Sequence, residues 1–291
     1  MLTAQLLANV RRIEIRTRRI VDQIAGGAYR SAFKGRGIEF REAREYLLED
    51  DSRDIDWNLT ARFGRPFVKL YTEERELTVM LIVDISASGD IGSGEKTKNQ
   101  TAAELAALLA LSASRNQDRV GLHLFTEQTE MHLAPRKGRK HALRLIRELL
   151  ARPRRHPGTD ISLALQQAIR TLHRRSVVFL ISDMLDKDCL TPLMIAGHRH
   201  ETIVARITDP MEISPPPIGW LAVEDAETGE NLFFNGAGRR PQEIFIEKNR
   251  ARRQNVEKQC RRAKADLIDF FVGQDVAKPL IGFFNQRHKS R

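Results

Sequence analysis

The sequence predicts an α/β fold, a mostly parallel sheet covered by helices on both faces, preceded by an irregular N-terminal subdomain. Three observations lead there. Residues 78–83 (TVMLIV) and 176–181 (SVVFLI) are almost unbroken apolar, largely β-branched runs, the pattern of strands buried on both faces. From residue 78 onward, strand and helix signals alternate, as βαβ units require. Before residue 77 there is little periodicity, yet aromatic residues and arginines recur too often for a disordered linker. The division is therefore set at residues 1–76 for the N-terminal part and 77–291 for the α/β domain with its C-terminal extension.

Within the first part, Leu6, Leu7, Val10, Ile13, Ile20 and Val21 recur at helical spacing over residues 3–25, and Gly26-Gly27 ends the run. In the second part, the strand at 78–83 is followed by an Ala/Leu-rich helix over 101–114 and an alternating strand over 119–126 (RVGLHLFT). Residues 130–133 are placed to pair with that strand as a hairpin. Residues 140–151 form an amphipathic helix with Leu143, Ile146, Leu149 and Leu150 on one side, and 160–172 form another. After the strand at 176–181 come a helix at 191–198, with Pro192 tolerated in its first turn, and a strand at 201–207. Beyond Pro215-Pro216-Pro217, residues 220–234 suggest a hairpin around Glu227-Thr228-Gly229, and 241–265 a long basic helix. Leu280, Ile281, Phe283 and Phe284 form a closing apolar cluster expected to fold back onto the domain.

Composition narrows the function. No run of about twenty apolar residues exists, so no segment is expected to span a membrane, and the N-terminus lacks the layout of a signal peptide. Cys189 and Cys260 have no metal-ligand spacing and suggest free thiols in a reducing, cytoplasmic setting. The net charge of +10 is concentrated: residues 136–155 hold nine Lys/Arg against the single acid Glu148. Such a surface invites nucleic acid or an acidic protein. Aromatic residues do not interleave with the basic runs as a single-strand stacking platform needs, so nucleic acid is not the favoured partner.

The chemistry gathers where the buried strands run out. Asp84, Ser86 and Ser88 follow the first strand at alternate positions and share one side if the extended geometry persists. Ser182-Asp183 follows the second buried strand, and Pro157-Gly158-Thr159-Asp160 precedes a helix for which Thr159 or Asp160 is the N-cap. In open α/β sheets, ligands bind at the carboxyl ends of the strands flanking the switch point. If the two strands are neighbours, Asp84, Ser86, Ser88, Thr159 and Asp183 converge. All five offer hard oxygen, which suits Mg2+, or Mn2+ or Ca2+, rather than zinc. Three hydroxyls bound directly and two carboxylates acting through water would leave one of six positions open.

Asp84-Ile85-Ser86-Ala87-Ser88 with the distant Thr159 and Asp183 resembles the metal-ion-dependent adhesion site of von Willebrand factor A domains, which are Rossmann-like. That resemblance implies direct binding by Ser86, Ser88 and Thr159, with Asp84 and Asp183 acting mainly through water, and a partner's Asp or Glu at the sixth position. Gly37-Ile38-Glu39-Phe40, Arg44-Glu45-Tyr46, the run from Asp50-Asp51 to Asp56-Trp57, Ala61-Arg62 and Glu73-Glu74-Arg75 resemble the signature of the bacterial domain-of-unknown-function family fifty-eight. That family carries such a domain and is associated with MoxR-type AAA+ ATPases. The resemblance implies a non-enzymatic adaptor for such an ATPase, in a chaperone-like or complex-maturation system. Two positions depart from it: Glu49 stands where glycine is usual, and Gly89 where methionine is common.

Two other functions compete. Asp84 and Asp183 with Mg2+ could serve a metal-dependent phosphohydrolase, although no general base stands beside them in the sequence. The basic runs could serve a nucleic-acid binder. The Gly92-Ser93-Gly94 stretch with Lys96 and Lys98 lacks the spacing of a phosphate-binding loop and reads as a mobile loop at the site rim. Arg53, Asp54, Asp56, Trp57 and Arg62 read as a buried ion-pair network in preference to a partner surface.

Overall fold

The computed structural model describes residues 20–21, 39–47, 49–72, 76–151, 153–185, 189–214, 219–224, 231–235 and 238–289. Residues 33–76 form one compact unit, and residues 77–291 belong to a larger one. The helix expected over residues 3–25 lies outside the described residues except for Ile20 and Val21, which are helical.

The small unit is more regular than its sequence suggests. β1 (Glu39–Glu45) carries charge at five of its seven positions, so no apolar alternation announces it. α1 (Trp57–Phe63) follows, capped by Asp56, whose carboxylate accepts from the Asn58 and Leu59 amides, and closed by Gly64 at φ 66°. β2 (Phe67–Thr72) pairs antiparallel with β1. Asp50 organises the intervening turn: its carboxylate takes two bonds from Arg44, at 2.7 and 2.8 Å, and one from the Leu47 amide. The expected buried ion-pair network is corrected. Arg53 pairs with Asp51 at the surface with its side chain 88% exposed, and Trp57 is 69% exposed. Asp51 meets Arg53 locally, and Asp56 faces Lys69 of β2 at 3.7 Å.

The large unit is built on a six-stranded sheet. β3 (Thr78–Asp84), β4 (Arg119–Phe125), β6 (Val177–Ser182), β7 (Glu201–Thr208) and β10 (Asp266–Phe271) run parallel, and β5 (Thr129–Arg136) pairs antiparallel with β4 at the edge. The order is β10-β7-β6-β3-β4-β5. The chain leaves β3 toward β4 and β5, then returns to β6 on the other side. The switch point therefore falls between β3 and β6, the two unbroken apolar runs, paired from Val79 with Val177 to Val83 with Ile181. A separate antiparallel pair, β8 (Trp220–Glu224) and β9 (Asn231–Asn235), matches the expected hairpin; its turn lies outside the described residues.

Helices cover both faces, as the alternation of signals predicts. α2 (Lys98–Arg115) opens with a capping box between Thr97 and Gln100 and packs against α3 (Arg139–Ala151). Met80 and Ile82 of β3 share a core cluster with α4 (Ile161–Arg170), α5 (Leu190–Arg199) and Val256 and Cys260 of the long basic α7 (Arg239–Arg262). Between β7 and α7 lies the short α6 (Pro210–Ile213). Period-two alternation sends Val79, Leu81 and Val83 to the opposite face. α5 approaches the end of α7 so closely that a Cβ on Gly197 would stand 1.9 Å from the Ala263 carbonyl oxygen. α8 (Ala277–Lys289) buries Leu280 and Phe284 of the closing apolar cluster completely, while Ile281 and Phe283 are half-buried. Cys189 and Cys260 are buried and form no disulfide, and burial pushes the Cys260 thiol up to about 12, which keeps it protonated.

Candidate metal centre

β3 delivers Asp84 to the carboxyl end of the sheet at 6% exposure. One carboxylate oxygen, Oδ1, accepts from the Ser86 amide at 2.9 Å; the other, Oδ2, accepts from the Ser182 hydroxyl at 2.8 Å, at the end of β6. The extended geometry on which the alternation of Asp84, Ser86 and Ser88 was conditional does not persist to Ser88. Ser86 instead caps a 3₁₀ turn over Ala87–Asp90. That turn brings Ser86 Oγ and Ser88 Oγ to 3.0 Å, where a strand would space the two residues about 6.6 Å apart. Both serines are buried.

Thr159 arrives on the loop before α4. The loop docks on the serine turn through the Ala87 amide, which donates to the Pro157 carbonyl at 2.9 Å, and just past the end of β4 through the Asp160 amide, which donates to the Thr126 carbonyl. Asp160, not Thr159, is the N-cap of α4, accepting from the Leu163 amide at 2.7 Å. Thr159 is thus the last loop residue, half-buried, two positions beyond the contact with Ala87.

Asp183 follows β6. Its Oδ1 accepts from the Leu185 amide at 3.1 Å, an arrangement made by the left-handed turn at Met184, φ 58°. Its Oδ2 receives the Lys98 ammonium at 2.6 Å. Lys98 also donates to Glu212 of α6 at 2.7 Å, and its side chain is 3% exposed. The loop around Gly92-Ser93-Gly94, expected at the site rim, is exposed and anchored at several points. The Ser93 amide donates to Asp209 Oδ2 at 2.7 Å, the Lys98 amide to the Ile91 carbonyl, and Lys96 pairs with Glu104. Asp209 itself is buried and caps α6, so the loops after β3, β6 and β7 are tied into one rim.

The electrostatics follow from burial. Desolvation, then the neighbouring Asp183 charge, raises the Asp84 carboxyl well above the ordinary carboxylate range; bonds from Ser86 and Ser182 only partly offset this. For Lys98, burial works against the charged form, but Asp183 and Glu212 outweigh it and the net shift is upward. Burial raises Glu212 despite the ammonium beside it. Two carboxylates, Asp183 and Glu212, thus hold a single ammonium, leaving one negative charge over when both are ionised.

The serine pair fits a small divalent ion. Two adjacent ligands of an octahedral ion with bonds of about 2.1 Å stand about 3 Å apart, and Ser86 Oγ and Ser88 Oγ are 3.0 Å apart. The surplus negative charge and the all-oxygen donor set point the same way. Gly89 also finds a reason. A Cβ there would lie 2.1 Å from Asn99 Oδ1, and Asn99 uses that space to donate to the Ser86 carbonyl at 3.3 Å and to Asp90 at 2.9 Å. Sequence reasoning set Lys98 on a rim loop without a partner and Ser182 beside Asp183 without a role, and it missed Asn99, Asp209 and Glu212. Ser182 carried a signal, its place beside Asp183 at a buried strand's end.

The fold is a Rossmann-like α/β domain with a polar rim at its switch point. The chain belongs to the family described as "Protein of unknown function DUF58", which it matches over residues 42–255. Among its relatives is the "Uncharacterized protein Rv1480" of Mycobacterium tuberculosis, 28% identical over 288 residues that cover 98% of this chain and 90% of the relative. Another, the "Uncharacterized protein MAV169" of Mycobacterium avium, is 27% identical over 157 residues, 53% of this chain and 92% of the relative. A similar solved structure is the conserved hypothetical protein BatB of Bacteroides thetaiotaomicron, at 13% identity and TM-score 0.47, over 73% of this chain and 99% of that one. A second, titled an aerotolerance-related membrane protein of Bacteroides fragilis, has 16% identity and TM-score 0.49 over 74% and 100%. Among the described residues of this chain, no helix is long and apolar enough to cross a membrane.

Proposed function

We propose that this chain is a non-enzymatic, cytoplasmic protein-interaction module that captures a partner's Asp or Glu through a divalent ion. The ion, Mg2+ or else Mn2+ or Ca2+, is held by Ser86, Ser88 and Thr159 directly and by Asp84 and Asp183 through water. One observation carries the reading: two buried hydroxyls 3.0 Å apart beside a buried carboxylate that has a like charge for a neighbour. When bound, the ion supplies a Lewis-acidic position for an incoming carboxylate. The chain's own groups do the rest. Asp84 fixes the serine turn through the Ser86 amide and ties β3 to β6 through Ser182. The loop carrying Thr159 is held against Ala87. Arg154 bonds Asp90 at 2.5 Å and reaches the Ser86 carbonyl at 3.5 Å, which brings the basic surface to the site's edge and favours an acidic partner. The family resemblance supplies the identity of that partner, a MoxR-type AAA+ ATPase.

The test is affinity purification of the full chain with and without EDTA. The expected result is an ATPase recovered in Mg2+ and lost in EDTA. Loss should be the same for Asp84→Asn with an unchanged circular dichroism spectrum. Recovery indifferent to both treatments would sink the reading. Mg2+-dependent turnover of phosphate esters, abolished in Asp84→Asn/Asp183→Asn, would replace it with a hydrolase.

A further inference from the structure

The Lys98 ammonium is placed oddly for a lysine. It starts α2, a helix buried over most of its length, so that its side chain is 3% exposed and its charged head lies between two carboxylates from distant parts of the chain. Buried ion pairs give little net stability, because desolvation of both charges consumes most of the attraction. The position therefore asks for another explanation. One carboxylate is Asp183, 4% exposed and part of the candidate metal centre; the other, Glu212, belongs to the rim but not to the proposed donor set.

We propose that Lys98 is a built-in counter-ion that shares Asp183 with the divalent ion and so sets the site's affinity for metal. The inference rests on the metal-site reading of the preceding section. A cation in the centre and the ammonium on Asp183 both draw on the same negative charge, and each opposes the other across a low-dielectric rim. Glu212 makes the exchange affordable. When Asp183 turns its charge to the ion, the ammonium keeps one carboxylate at 2.7 Å and is not stranded. Glu212 is held for this by α6, whose cap Asp209 also fastens Ser93 in the loop preceding Lys98. The two acids thus have different duties: Asp183 alternates between cations, and Glu212 anchors one of them.

Isothermal titration of the full chain with Mg2+, with the Mg2+-induced rise in melting temperature as a second readout, tests this. Lys98→Met should bind Mg2+ at least tenfold more tightly than wild type and show the larger thermal shift, while Lys98→Arg, which keeps the charge, should stay near wild type. Glu212→Gln should bind more weakly, because the ammonium then has only Asp183. In Lys98→Met/Glu212→Gln, the Glu212 change should lose most of its effect, since it acts through the lysine. Should Lys98→Met not fold, the direction of Glu212→Gln still decides. Unchanged or weaker binding in Lys98→Met, or unchanged or tighter binding in Glu212→Gln, overturns the inference. If wild type still binds Mg2+ and Asp84→Asn does not, the metal reading survives that loss. If neither wild type nor Lys98→Met binds Mg2+, the metal reading itself fails.

Discussion

His123 shows how much a single buried side chain can report. It sits on β4 at 1% exposure, its Nδ1 3.2 Å from Nδ1 of His132 across the β4–β5 pair and its Nε2 3.3 Å from the Thr129 hydroxyl. Burial, then the neighbouring His132, lowers its pKa from 6.5 to about 4. The unfolded chain therefore binds the proton that the folded chain refuses, and stability is fully present above about pH 7 and declines as pH falls from about 6.5 toward 4. The loss is on the order of 2 kcal/mol at pH 5 and 3 kcal/mol at pH 4. His132, also lowered by burial, acts in the same direction. Urea denaturation at pH 7 and pH 5 should show a difference of this size that shrinks in His123→Gln; an unaltered slope would mean that another group carries it. The same scale explains why the pairing of Lys98 was illegible in the sequence. A lysine after a Gly/Ser loop is ordinarily a solvated charge, and its partners lie 85 and 114 residues away. Asp84, Ser86 and Ser88 were legible because a carboxylate and hydroxyls end a run of β-branched apolar residues.

Elements were readable where their periodicity was strong and their neighbours were apolar. β3 and β6 stand side by side as expected, because each is uniformly apolar and only the sheet's centre buries both faces. β10 escaped notice because the basic helix before it ends in Arg261-Arg262-Ala263-Lys264-Ala265, which continues a helical pattern, and because Asp266 and Asp269 interrupt the strand. The structure resolves that interruption by giving Asp269 two arginines, Arg206 at 2.6 Å and Arg253 at 3.2 Å. At α4 the sequence left the cap open between Thr159 and Asp160, and the cap is Asp160. The two residues should therefore separate in experiment. Asp160→Ala removes the acceptor for the Leu163 amide and should cost about 1 kcal/mol in urea denaturation. Thr159→Ala removes a proposed ligand and should weaken Mg2+ binding at least tenfold, as read by titration. Thr159→Ala with unchanged Mg2+ affinity would take the threonine out of the donor set.

At the scale of the large unit, charge and metal divide the work of association. The surplus of basic side chains over residues 136–155 includes Arg139, Lys140 and Arg144, all exposed on α3, and runs on to Arg154 at the serine turn. Exposed charges act over a Debye length of about 8–10 Å at moderate salt, far enough to orient an approaching acidic surface but too weakly to hold it. Holding falls to the ion, a short-range bond to one carboxylate. The two contributions should appear in different rate constants. With the partner recovered in Mg2+, Arg139→Glu/Lys140→Glu/Arg144→Glu should slow association by tenfold or more at low salt, within the usual range of electrostatic steering. The deficit should fade as salt is raised, and the dissociation rate should hardly move. Asp84→Asn should do the reverse, leaving association near its wild-type rate and hastening dissociation. Surface plasmon resonance across a salt series reads both. A triple variant that dissociates faster without associating more slowly would place α3 inside the interface, and the basic surface would then be a contact and not a guide.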